Sequence, residues 1–108
     1  MFDCVMPTRN GRNGMLFTTE GVINIRNEKW AVSDDPIDPV LDSYVSRTFS
    51  KGYVRHLFQA GELLGLYIAS VQNLSFYLWL MREARRAVID RRFETWRRST
   101  LPQLSRRL

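Results

Sequence analysis

Thiol and imidazole are almost missing from this sequence: its 108 residues hold one cysteine, Cys4, and one histidine, His56. A single cysteine excludes an internal disulfide framework and suits a reducing, cytoplasmic compartment. Long apolar runs are missing as well. The longest candidates, such as Leu63 to Val71, are interrupted by Gly65, Tyr67 and Ser70, well short of the roughly 18 apolar residues of a membrane span. No basic segment followed by an apolar one opens the sequence, so no secretory signal is expected. Neither an internal repeat nor a low-complexity tract is present. What remains, 44% apolar and 25% charged residues, is the balance of a soluble globular protein. At this length one domain at most is expected, hiding roughly two thirds of the surface its unfolded chain exposes.

Negative charge is scarce in the second half. Residues 43 to 108 hold four acids against twelve bases, a balance of +8, whereas residues 1 to 42 hold seven acids and four bases, a balance of −3. Such asymmetry marks surfaces that meet phosphates. It also arises from a solvated helix face plus a disordered basic tail, and composition alone favours that plainer reading.

Phe2 to Met6 is a short apolar run closed by Pro7 and predicts a strand entering a loop. Thr8 to Gly14 holds two Asn-Gly pairs and two arginines, which predicts an irregular loop rather than a helix. Leu16 to Thr19 and Val22 to Arg26, separated by Glu20-Gly21, predict a β-hairpin. Asn27 to Pro39 is acidic and reads as a surface loop. From about Ser43 the spacing becomes helical through Tyr53, Val54, Leu57, Phe58 and Leu64, with Gly61 and Gly65 weakening the junction between helices. Asn73 is the predicted N-cap of the next helix. Its apolar stripe would be Leu74, Tyr77, Leu78, Met81, Ala84 and Val88, with Arg82, Arg85 and Arg86 on the other side. Asp90 would open a last helix carrying Phe93 and Trp96 and ending before Pro102. An opening strand and a lone hairpin leave backbone groups unpaired, so the first residues are expected to join a sheet supplied by something else.

The stretch Met1-Phe2-Asp3-Cys4-Val5-Met6-Pro7-Thr8-Arg9-Asn10-Gly11-Arg12-Asn13-Gly14 resembles the signature of bacterial-type tRNA-guanine transglycosylases. The likeness continues through Leu16-Phe17-Thr18-Thr19-Glu20-Gly21, Asn24-Ile25-Arg26-Asn27 and Pro36-Ile37-Asp38-Pro39. It resumes at Tyr53-Val54-Arg55-His56-Leu57, Ala60-Gly61-Glu62-Leu63-Leu64-Gly65 and Asn73-Leu74-Ser75-Phe76-Tyr77, and so covers the chain to about Phe93. The resemblance implies a (β/α)8 barrel that exchanges the wobble guanine of tRNA for a 7-deazaguanine precursor in queuosine biosynthesis. This chain would hold the last barrel strand and anticodon-contacting loop (1–14), a β-hairpin and acidic loop (15–40), and a helical subdomain with a basic tail (41–108). Asp3 matches the nucleophile, at a strand end where such barrels place catalytic groups. Its carboxylate would attack ribose C1′ as guanine leaves and hold the sugar until the new base attacks. Thr8, Arg9, Asn10, Gly11 and Arg12 match the loop that holds the anticodon bases, and turn backbone with guanidinium groups suits unstacked bases and phosphates.

Two departures from the family pattern stand out. A (β/α)8 barrel needs about 250 residues, and this chain would begin at the last strand, so a truncation, a split gene or an internal start is expected. The second carboxylate, the base pocket and seven strands would then lie elsewhere. The family also holds one structural zinc through three cysteines and a histidine. The matching positions here are Leu41, Ser43, Ser46 and Gln72, none of which offers the thiolate or imidazole that such a site takes; no cofactor is therefore expected. The implied partners are tRNA through its anticodon loop, an N-terminal fragment or full-length homologue, and a second copy in a homodimer, with no membrane. The leading expectation is a transglycosylase piece inactive alone. The alternatives are a non-catalytic RNA-binding or partner subunit, and a non-functional remnant.

Overall fold

Two short strands frame the molecule. In the computed structural model, which describes residues 4–108, β1 (Met15–Thr18) and β2 (Gly21–Asn24) pair antiparallel with Leu16 opposite Ile23 and Phe17 opposite Val22. The Thr18 hydroxyl closes the turn, accepting from the Glu20 and Gly21 amides at 3.2 and 3.1 Å and donating to the Gly21 carbonyl at 2.7 Å. Around the hairpin stand α1 (Met6–Arg12), α2 (Tyr44–Thr48), α3 (Lys51–Ala60), α4 (Leu63–Ile89) and α5 (Phe93–Ser105), with a single 3-10 turn, Glu28–Trp30, in the acidic loop.

A two-stranded hairpin is marginal in isolation, and here both of its edges are closed from within the chain. On the β1 edge, Asn73 Oδ1 accepts from the Phe17 amide at 2.9 Å, and Asn73 Nδ2 donates to the Met15 carbonyl at 2.9 Å. Next to it, Gln72 Nε2 donates to the Phe17 carbonyl at 2.8 Å. On the β2 edge the last residues run alongside: the Val22 amide donates to Arg106 at 2.8 Å and the Leu108 amide donates to Val22 at 2.9 Å. Arg106 Nε and Gln103 Nε2 hold the hairpin turn through the Glu20 and Thr19 carbonyls, at 2.7 and 2.8 Å. The hairpin therefore needs no sheet from elsewhere, and the end of the chain is a strap rather than a loose basic tail.

The main core gathers Leu16, Ile23, Ile25, Ile37, Val45, Val54, Leu57, Phe58, Ile68 and Ala69, drawn from the hairpin, the acidic loop and α2 to α4. A second cluster joins Leu41, Phe76 and Leu104, with Phe17, Tyr77, Trp79 and Leu80 packed against it. Gly61 ends α3 in the left-handed conformation, φ 70°, the usual task of glycine at a helix C-terminus. Gly65 lies inside α4 instead of weakening its start, because a Cβ there would stand 3.1 Å from Leu57 and 3.2 Å from Phe58: the missing side chain lets α3 and α4 close up.

Five sequence expectations change here. The loop expected over Thr8 to Gly14 is mostly α1, in which Pro7 occupies the first turn, where its missing amide costs nothing. Of the strand expected over Phe2 to Met6, Phe2 and Asp3 lie outside the described residues, while Cys4 and Val5 are in no strand and Met6 already belongs to α1. Asn73 is no N-cap: it sits in mid-α4, buried, with its carboxamide spent on the hairpin instead of a first-turn amide. The face of α4 that meets the core is Gly65, Ile68, Ala69, Gln72, Asn73, Phe76 and Ala87, while Leu74, Leu78, Met81 and Val88 of the expected stripe are exposed. By length and composition α4 does pass for a membrane span, with a window of mean hydropathy 1.3. Its two buried carboxamides bonded to the hairpin mark it as a core helix. Finally, α5 runs through Pro102 instead of stopping before it. Pro102 removes one helical hydrogen bond, but buried Leu104 and the bonds of Gln103 and Arg106 anchor the last turn.

Candidate nucleic-acid interface

The five residues matched to anticodon contact all lie on α1, and the helix sorts them. Gly11 points inward, where a Cβ would meet the backbone of Ala69 and Ser70 at 3.2 to 3.3 Å. Its lack of a side chain lets α1 lie directly on α4. Arg9 and Arg12, three residues apart and hence on one face, both point to solvent. Thr8 and Asn10 are half-buried, and the Thr8 hydroxyl donates back to the Val5 carbonyl at 3.2 Å. The helix ends where Gly14 turns to φ 86°, its amide donating to Gly11 at 2.9 Å. Arg26 approaches there, its Nε 3.1 Å from where a Gly14 Cβ would sit and its guanidinium 5.2 Å from the Phe58 ring centre. Three guanidinium groups thus belong to one end of α1.

What holds α1 in place is Asn73. The nitrogen that donates to Met15 also donates to the Pro7 carbonyl at 2.9 Å. One fully buried carboxamide therefore joins the first turn of α1 to β1 from the middle of α4. Sequence reasoning missed this because an Asn before a helical stripe reads as a cap. The matched nucleophile, Asp3, lies outside the described residues. Cys4 next to it is exposed. Partial burial, and then the Cys4 thiol, push the Tyr77 phenol above its ordinary value.

The positions matched to zinc ligands do not fit a metal. The Ser46 hydroxyl donates to Gln72 Oε1, both groups fully buried, while Gln72 Nε2 donates to Phe17. Leu41 is buried against Phe76 and Leu104. Ser43 is half-buried at the start of α2. An alkyl group, two hydroxyls and a carboxamide already spent on hydrogen bonds offer no thiolate or imidazole to zinc. Among the described residues no three His, Cys, Asp or Glu side chains gather in one place. His56 stands exposed on α3.

The expected phosphate-facing arginines are exposed but partly spoken for. Arg86 pairs with Glu83 at 3.2 Å, Arg97 with Glu94 at 3.0 Å and Arg92 with Asp90 at 3.6 Å. Arg82, Arg85 and Arg86 line a shallow cleft of about 270 Å³ with Ile89. Arg106 is spent on the strap.

A family model described as queuine tRNA-ribosyltransferase matches residues 1–106. A protein of that name from Aquifex aeolicus (strain VF5) is 44% identical over all of this chain and 29% of its own length. Another, from Syntrophobacter fumaroxidans, is 52% identical over 92% of this chain and 26% of its own. A third, from Nitratidesulfovibrio vulgaris (strain DP4), is 48% identical with the same coverage. The chain thus spans between a quarter and three tenths of the length of these relatives.

Proposed function

The chain belongs to the queuine tRNA-ribosyltransferase family, and on that footing we propose that it supplies the nucleophile and the anticodon-contacting helix of a tRNA-guanine transglycosylase site. The rest of that site belongs to the portion of the relatives that the chain does not span. Asp3 attacks C1′ of the wobble nucleotide while the bond to guanine breaks, and holds the ribose until the incoming 7-deazaguanine displaces it. Arg9 and Arg12 contact the splayed anticodon bases and adjoining phosphates. The observation that carries this reading is the outward pairing of Arg9 and Arg12 on a helix that begins three residues after Asp3 and is pinned by Asn73. No zinc takes part, because the donor set at Leu41, Ser43, Ser46 and Gln72 does not suit one. The setting is cytoplasmic.

The test is a fusion of this chain behind the portion of the Aquifex aeolicus relative that lies outside its matched 29%. The fusion should exchange labelled guanine in tRNA, and Asp3→Asn, which keeps the shape but removes the nucleophile, should abolish exchange. The chain alone should show none. An active Asp3→Asn fusion, or exchange by the chain alone, overturns the proposal. The exposed Arg82 and Arg85 favour one other reading, a non-catalytic RNA-binding subunit; it is the better account if the fusion is inactive while the chain binds tRNA.

A further inference from the structure

A carboxamide in the middle of a long helix is unfavourable on two counts: asparagine suits helix interiors poorly, and a buried polar group needs partners. Asn73 is fully buried in mid-α4 and has three hydrogen bonds, all to backbone. It accepts from the Phe17 amide and donates to the Met15 and Pro7 carbonyls, each at 2.9 Å. The residue type follows from that set. A carboxamide supplies two N–H donors and an acceptor together, whereas a carboxylate supplies no donor and a hydroxyl or neutral imidazole only one.

The three bonds do different things. Those to Met15 and Phe17 occupy the edge of β1, where Gln72 also bonds. The bond to Pro7 is, among the described residues, the only hydrogen bond that leaves α1 for another element. The Arg9 amide and the Thr8 hydroxyl both donate back to Val5, at the start of the same helix. At the other end of α1 the contact with α4 is van der Waals packing, Gly11 lying against the backbone of Ala69 and Ser70. Ala69 and Asn73 are one turn apart on α4. Packing at Gly11 sets how near α1 comes, but only the directed bond at Pro7 opposes rotation of α1 about its own axis. That rotation decides where the exposed Arg9 and Arg12 point.

We infer that Asn73 is a positioning residue for the anticodon-contacting helix: its bond to the Pro7 carbonyl sets the orientation in which Arg9 and Arg12 meet tRNA. The inference rests on the reading given under Proposed function. Being fully buried, Asn73 touches no RNA itself. Pro7 is two residues from Arg9 and four from Asp3 in the sequence, and misplacement by about 1 Å can slow a reaction about 100-fold.

Two substitutions test this. Asn73→Leu keeps the bulk of the side chain and removes all three bonds; Asn73→Asp keeps the acceptor and removes both donors. In the 108-residue chain, amide hydrogen-exchange protection of Arg9 and Asn13, which reports on α1, should fall at least about tenfold in each variant at neutral pH. The Val54 amide, in the core of α3, should keep its protection. Buried and facing two carbonyls, the carboxyl of Asn73→Asp titrates above the ~3.9 of a free aspartate. Below that raised value it is neutral and its O–H donates to one carbonyl, so α1 is protected at about pH 5; protection is lost as the pH climbs toward about 8. Asn73→Leu and the parent chain show no such dependence. In the fusion with the Aquifex aeolicus portion, both variants should raise the KM for tRNA at least about tenfold at neutral pH and leave the KM for guanine, whose pocket lies outside this chain, unchanged. Loss of Val54 protection together with that of Arg9 and Asn13 means that Asn73 merely holds the fold, and overturns the inference. So do unaltered α1 protection, no recovery of Asn73→Asp at about pH 5, or a tRNA KM that stays constant while kcat alone falls. An inactive parent fusion counts against the proposed function, and amide exchange in the chain alone then decides the role of Asn73.

Discussion

Asp38 shows how much structure one side chain can hold. It is a buried carboxylate in an acidic loop that reads from sequence as solvated surface. Its two oxygens accept from the Thr19 amide at 2.6 Å, the Thr19 hydroxyl at 3.0 Å and the Val40 amide at 3.1 Å. Its own amide donates to the Ser46 carbonyl at 2.9 Å, which joins the hairpin turn to α2. All three bonds run from protein donors to one carboxylate, so Asp38→Asn sets an NH2 group against a donor and leaves it unpaired. Hydrogen bonds to charged groups are worth about 1.5 to 3 kcal/mol each, and a buried unpaired donor carries its full desolvation cost. Urea unfolding of Asp38→Asn should therefore show a loss of about 2 to 4 kcal/mol. A loss below about 1 kcal/mol would mean that Thr19 and Val40 find other acceptors.

At the scale of elements, the hairpin and the helical stretch from about Ser43 were legible, because alternation and three-to-four spacing are local signals. What was illegible depended on contacts distant in sequence. Gly11 reads as a turn former, yet its use is the close approach of α1 to Ala69, 58 positions away. The apolar residues of α4 repeat on more than one face, so the sequence could not say which face meets the hairpin; the carboxamides of Gln72 and Asn73 decide that, and polar residues are the ones a hydrophobic stripe omits. Nor did charge reveal that the basic end of the chain pairs with β2. That strap depends on Gly21, whose φ is 148° and where a Cβ would lie 2.6 Å from the Arg106 carbonyl oxygen. Gly21→Ala should push the strap off β2, and hydrogen exchange at the Val22 amide, which donates to Arg106, should accelerate by at least about tenfold, the equivalent of about 1.4 kcal/mol. Gly61→Ala is the control: φ is also positive, but nothing lies within 4 Å, so backbone strain of about 1 kcal/mol is its whole effect and Val22 stays protected. Unchanged exchange at Val22 in Gly21→Ala would show that the strap is not seated there.

Taken whole, the molecule distributes the work of one cross-link over several weak ones. The segment from Ile37 to Ser46 crosses between the hairpin and α4, the place where the family resemblance puts a metal. A structural zinc in a small fold supplies on the order of 10 kcal/mol, comparable with the ~5–15 kcal/mol total of a typical domain. Here that segment is tied instead by Asp38 to Thr19, by Ser46 through Gln72 to Phe17, and by Leu41 against Phe76 and Leu104. Each tie is modest, but together they join the segment to the hairpin, α4 and α5, and Gln72 and Asn73 extend them along the free edge of β1. If those ties suffice, stability is indifferent to metal. Thermal unfolding should keep its midpoint to within about 2 °C whether EDTA or zinc is added, since a shift of a few degrees corresponds to only about 1 kcal/mol in a domain of this size. Elemental analysis of tag-free protein should find far less than one zinc per chain. Stoichiometric zinc, or a midpoint that falls by tens of degrees on chelation, would show that other donors hold a metal and that the hydrogen-bonded ties are not what closes this part of the fold.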